Sequence, residues 1–210
     1  MAKEVFNEAE RFLIQHWFDT GELEESIEET RIKYQALCEK VAETVREQHD
    51  DLDMQTVEVT RVSGPAGMKA GVIKLSKKLW TKGKHYWTGF WMENLRLEYL
   101  ADEDEPQPLV YLWVNAEEAG LEQNKVERVI REAIEEVLTP VELTGVTTVI
   151  GDDYFLEIQF ATKQQLIDML AKGETDRFVE TLAKPFDLLA KLMPAIDQIF
   201  TAVKPQRKSS

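Results

Sequence analysis

Between residues 54 and 114 the chain offers short runs that read as strands, joined by connections too short for a crossover helix. That feature constrains the fold most. Parallel neighbours need a crossover of about a dozen residues or more, whereas antiparallel neighbours need only a turn. The runs are 54–62, 70–75, 86–91, 94–100 and 109–114. In the fourth, Leu95, Leu97 and Tyr99 alternate with Arg96 and Glu98, and Met92, Glu93 and Asn94 leave room for a hairpin turn before it. Further on, 145–150 and 154–160 flank Gly151, Asp152 and Asp153 as another hairpin. The pattern predicts an antiparallel meander and not alternating βαβ units.

Helical spacing frames this sheet. Ala9, Phe12, Leu13, His16 and Trp17 recur at steps of three and four within 7–19, Gly21 interrupts, and Leu23, Ile27, Tyr34, Leu37, Cys38, Val41 and Val45 form a stripe over 22–48. Cys38 and His16 lie on these stripes and are expected in the core. Asn115 with Glu118 is a capping signature for a helix at 116–138, with Gly120 placed to split off its first turn. Thr162 with Gln165 opens a shorter helix that Gly173 closes. Over 175–203, Phe178, Leu182, Phe186, Leu189, Met193, Ile196, Phe200 and Val203 make a wide apolar stripe, and Pro185 and Pro194 break it into pieces or kink it.

The expected fold is a single α+β domain over 1–203. It has an N-terminal helical hairpin (1–50), a largely antiparallel sheet of five to seven strands (54–160), and helices packed on one face with a kinked C-terminal helical segment (162–203). The polar end, 204–210, is expected to be disordered. The single cysteine excludes an internal disulfide and a zinc-type spacing, which fits a reducing compartment. With no leader-like or membrane-spanning apolar run, the expectation is a cytoplasmic protein with no membrane partner.

The charge is unevenly spread. The chain carries −14 overall, yet 61–92 holds seven basic side chains and no acidic one, together with three of the five tryptophans. Cations interleaved with flat rings suit an anionic, partly planar ligand, because lysines meet phosphate while rings stack on bases. The candidate site residues are Lys74, Lys77, Lys78, Trp80, Lys82, Lys84, His85, Tyr86, Trp87 and Trp91. The alternative placement puts the rings in the core and the lysines on a solvated edge strand. Both alternates of 86–91 are partly aromatic, so one core face cannot take every ring.

Other motifs fail on spacing. The loop 63–69 lacks the Lys-Ser/Thr of a phosphate loop and precedes a strand, and its GxxG spelling joins strands where an RNA-clamping loop joins helices. Asp51 and Asp53 begin like a calcium loop without its glycine or terminal acid. No GxSxG is present, and His49 and His85 read as loop histidines. No catalytic residue, metal or cofactor is assigned. The leading reading is therefore a non-catalytic binding protein for nucleic acid or another anionic ligand, with a homo-oligomer or protein partner on the C-terminal helices. Two alternatives accompany it: an acidic scaffold or inhibitor that mimics nucleic-acid charge through 22–29 and 102–105, and a metal-dependent nuclease or hydrolase using Glu142, Asp152, Asp153 or Glu157.

Overall fold

The computed structural model describes residues 6–15, 24–50, 54–59, 73–82, 85–86, 88–101, 104, 106–117, 119–140, 146–150 and 154–201. The elements are α1 (Glu8–Gln15), α2 (Glu24–Gln48), β1 (Met54–Val59), β2 (Ile73–Lys77), a 3-10 turn (Lys78–Trp80), β3 (Thr81–Lys82), β4 (His85–Tyr86), β5 (Thr88–Glu93), α3 (Leu97–Ala101), β6 (Leu109–Val114), α4 (Gln123–Val137), β7 (Val146–Ile150), β8 (Tyr154–Ile158), α5 (Lys163–Ala171), α6 (Thr175–Ala190) and α7 (Met193–Thr201). The class is α+β. The sheet is antiparallel throughout, in the order β1-β2-β5-β6-β8-β7, and β3 and β4 form a separate two-stranded ribbon. β1, an edge strand, carries an irregularity in register between Thr56 and Glu58, a common way of spoiling an edge for further pairing.

Alternation sorts the strand residues onto two faces. Ile73, Leu75, Phe90, Met92, Val110, Leu112, Val114, Leu156 and Ile158 are buried on the inner face. They join one apolar cluster with Tyr34 and Val41 of α2, Ile130 of α4, Phe178 and Phe186 of α6, and Ile196 and Phe200 of α7. Each such side chain contributes about 1.5–3 kcal/mol by leaving water. Polar contacts fix the helices over this face. The Tyr34 hydroxyl donates to the Leu95 carbonyl at 2.7 Å, and Lys40 reaches Asp176 at 2.9 Å. At the far end of α2, His49 Nε2 lies 3.0 Å from Asp187 of α6. α1 opens with a reciprocal cap in which Glu10 N donates to Asn7 Oδ1 at 3.0 Å and Asn7 N donates to Glu10 Oε2 at 2.6 Å. The buried Glu10 carboxylate also pairs with Lys33 of α2.

Two sequence expectations need correction. The run 94–100 is not a strand: Asn94 adopts φ 61° and the helix α3 follows. That left-handed residue ends β5, and Leu97 and Leu100, one helical turn apart, are both buried. Arg96, expected on the strand face opposite Leu95, Leu97 and Tyr99, is buried with its guanidinium 5.2 Å from the Tyr99 ring. The helix expected over 116–138 begins only at Gln123, after a separate turn. Leu121 N bonds Ala116 O and Gly120 N bonds Glu117 O, a Schellman closure with Gly120 at φ 72°. A left-handed glycine cannot continue a helix, so Gly120 splits off the first turn, as its position in the sequence suggested, and the N-cap of α4 is Glu122.

The Thr162–Gln165 capping box on α5 is present, with both reciprocal bonds formed. The C-terminal stripe becomes two helices, α6 with Pro185 inside it and α7 with Pro194 in its first turn, where the absent N–H would have no partner anyway. Phe178, Leu182, Phe186, Leu189, Met193, Ile196 and Phe200 are all buried within the chain. No described helix is long and apolar enough to cross a membrane.

Candidate functional site

The outer face of the sheet gathers aromatic side chains that the helical core does not use. Register places Lys74 opposite Trp91, Trp91 opposite Tyr111 and Tyr111 opposite Glu157, one row across β2, β5, β6 and β8. The next row pairs Gly89 with Trp113. None of Trp91, Tyr111 and Trp113 belongs to the main apolar cluster. They pack on one another: Trp91 and Trp113 stack with centroids 5.0 Å apart and planes at 29°, and Trp91 meets Tyr111 at 5.8 Å. Tyr111 is nearly covered, whereas Trp91 and Trp113 are half-buried and keep surface in contact with solvent.

Glycine at position 89 makes this packing possible. A Cβ there would lie 2.8 Å from the Leu75 carbonyl oxygen and 3.3 Å from Trp91 Nε1. The indole of Trp91 thus occupies space over the bare backbone and leans toward Trp113, which stands opposite Gly89. Lys74 holds its ammonium 4.2 Å from the Trp91 ring centroid, over the negative face of the ring. Glu93 and Glu157 are half-buried, and alternation puts both on this outer face. The row continues at both ends, with Glu58 of β1 in register with Lys74 and Thr147 of β7 in register with Glu157, so the face offers stacking surface in the middle, a cation on one side of it and a carboxylate on the other.

Comparison of the chain with protein-family models, curated proteins and solved structures gives no significant match. The site is read from its geometry alone.

The residues singled out from the sequence fall in three places. Lys74 and Trp91 lie on the outer face. Lys77 and Trp80 point the other way, toward α7. Trp80 is fully buried, meets Phe90 edge-on at 5.7 Å, and donates from Nε1 to Asp197 Oδ1 at 2.8 Å. Lys77 is 9% exposed and donates to Asp197 Oδ2 at 2.7 Å. This side of the stretch is tertiary structure, and a charge reversal at Lys77 would read out folding. Lys78 stands in the 3-10 turn, while Lys82 pairs with His85, and Thr81 with Tyr86, in the β3–β4 ribbon. Lys84 and Trp87 lie outside the described residues, as do His16, residues 63–69, Glu142, Asp152 and Asp153. Among the described residues no group of three His, Cys, Asp or Glu side chains could hold a metal.

Tyr111 and Trp113 were missed. The run Leu109-Val110-Tyr111-Leu112-Trp113-Val114 reads as uniformly buried when only its hydrophobicity is counted. Its parity held the signal, since both rings occupy odd positions and the aliphatic Val110, Leu112 and Val114 occupy even ones.

Proposed function

We propose that the chain is a non-catalytic binding module whose outer sheet face takes an anionic, ring-bearing ligand, with single-stranded nucleic acid as the best fit. The observation that carries this reading is the partly exposed Trp91–Trp113 stack, lying outside the helical core with Lys74 above it. Stacking on aromatic side chains tolerates any base and needs that base unpaired. Lys74 supplies a point charge for a phosphate. Glu157, on the side of the rings away from Lys74, suits an exocyclic amino group, which adenine, cytosine and guanine have and thymine lacks. The overall charge of −14 keeps such binding local.

The test is fluorescence anisotropy with labelled oligonucleotides at about 50 and 200 mM salt. Trp91→Ala or Trp113→Ala should weaken single-strand binding by about 1–3 kcal/mol each. Lys74→Glu should flatten the salt slope by about 0.7, the contribution of one phosphate. Duplex should bind more weakly than single strands, and Glu157→Gln should reduce the preference for amino-bearing bases over thymine. Absence of single-strand binding at the lower salt, or binding that the tryptophan variants leave intact, would sink the proposal.

A further inference from the structure

The helical side of the molecule carries a second concavity unrelated to the outer face. A cleft of about 740 Å³ opens where the chain leaves β8 and passes α5 and α6. Its apolar wall includes Ile158, Phe160, Met169 and Leu188, and α6 with its C-cap contributes Lys184, Asp187 and Lys191. A smaller hollow of about 240 Å³ adjoins it along Gln159, Phe160 and Ala161, so the concavity is elongated.

The charges of the cleft are not equivalent. Lys184 and Asp187 are three apart and so share one side of α6, and Lys191 caps its end. The Asp187 carboxylate lies 3.0 Å from Nε2 of His49, the residue that follows α2. Lys184 is exposed and makes no ion pair among the described residues. On a chain of net charge −14 most of the surface repels anions, whereas this apolar trough presents a cation at its rim. Its volume falls in the range of about 300–1,000 Å³ typical of small-molecule sites, which join an apolar lining to a few polar groups.

We propose that the cleft binds an amphipathic organic acid, an acyl or aryl chain ending in a carboxylate. The chain lies against Phe160, Met169 and Leu188, and the carboxylate meets Lys184. None of these residues belongs to the outer face, so this site stands or falls independently of the nucleic-acid reading.

Titration calorimetry with decanoate, kept below its micelle concentration, tests the assignment, with decanol as the uncharged control. Saturable one-to-one binding of decanoate is expected, about tenfold tighter than decanol, as a charge-assisted contact provides. Lys184→Glu, at an exposed position, should erase that advantage and leave decanol binding as it was. Met169→Trp, which fills the cleft, should abolish binding of both, and Trp91→Ala should affect neither. The proposal is overturned if decanoate does not saturate, if decanol binds equally well, if Lys184→Glu leaves decanoate affinity unchanged, or if Trp91→Ala removes it.

Discussion

Single atoms decide much of this molecule. A methyl group at Gly89 meets a backbone carbonyl at 2.8 Å, and a carbonyl cannot swing aside as a flexible side chain does. Gly89→Ala should therefore cost about 1–3 kcal/mol, the usual range for overpacking, read as a lowered urea midpoint. Because the same position underlies the Trp91–Trp113 stack, near-ultraviolet circular dichroism should change with it. The Cys38 thiol is another case. It is fully buried, and loss of water around the thiolate pushes its pKa up from 9.0 to about 12, against a smaller opposing effect of the Tyr34 hydrogen bond. Below pH 9.0 the thiol is protonated in both folded and unfolded chains, and its contribution is fully present. As pH rises from there toward about 12, the unfolded chain gives up a proton that the folded chain keeps, and stability falls. Between neutral pH and about pH 10 the wild type should lose more stability than Cys38→Ala, measured by urea unfolding. The native thiol should resist alkylation until the chain unfolds.

At the scale of elements, the decisive contact is the Asp197 carboxylate, which takes the Lys77 ammonium on one oxygen and the Trp80 indole on the other. Lys77 is buried and Asp197 half-buried, so Asp197→Ala, which takes the acceptor from both donors, should cost about 1.5–3 kcal/mol, the range for hydrogen bonds to charged groups. Lys77→Met combined with Asp197→Leu should recover much of that loss, and a double-mutant cycle in urea measures the coupling. This contact also marks where the sequence stopped being legible. The α+β class, the antiparallel connections and the Thr162–Gln165 cap could be read because local spacing determines them. The direction of Trp80 could not, because it depends on a carboxylate 117 residues away. The break after β5 was hidden for a different reason. Leu95, Leu97 and Tyr99 alternate as a strand would, and only the left-handed Asn94 hands the run to a helix. Of the candidate site, Lys74 and Trp91 were legible as a cation and a ring, while their partners Tyr111 and Trp113 were concealed in a run that looked like pure core.

For the whole molecule, the stripe on α6 and α7 is consumed inside the chain, which removes the physical reason for placing a second subunit there. Among the described residues, exposed ring area lies on Phe12 of α1 and, in part, on Trp91 and Trp113 of the outer sheet face. In sedimentation the ligand-free chain should behave as a monomer; a dimer dissolved by Trp113→Glu would show that this face serves self-association. A net charge of −14 also means self-repulsion in the folded state. Raising salt from about 0.01 to 0.5 M, which shortens the screening length from about 30 Å to a few ångströms, should raise the melting temperature. The Asp197 contact has one more consequence, in time and not in space. Lys77 leaves the ribosome 120 residues ahead of its acceptor, a delay of about 10 s at ordinary elongation rates. Throughout that interval an ammonium and an indole destined for the interior have no counterpart, and the strands, complete at Ile158, wait for α7 to cover them. Nascent chains stalled before α7 are thus the form of this protein that chaperones and proteases would meet most often.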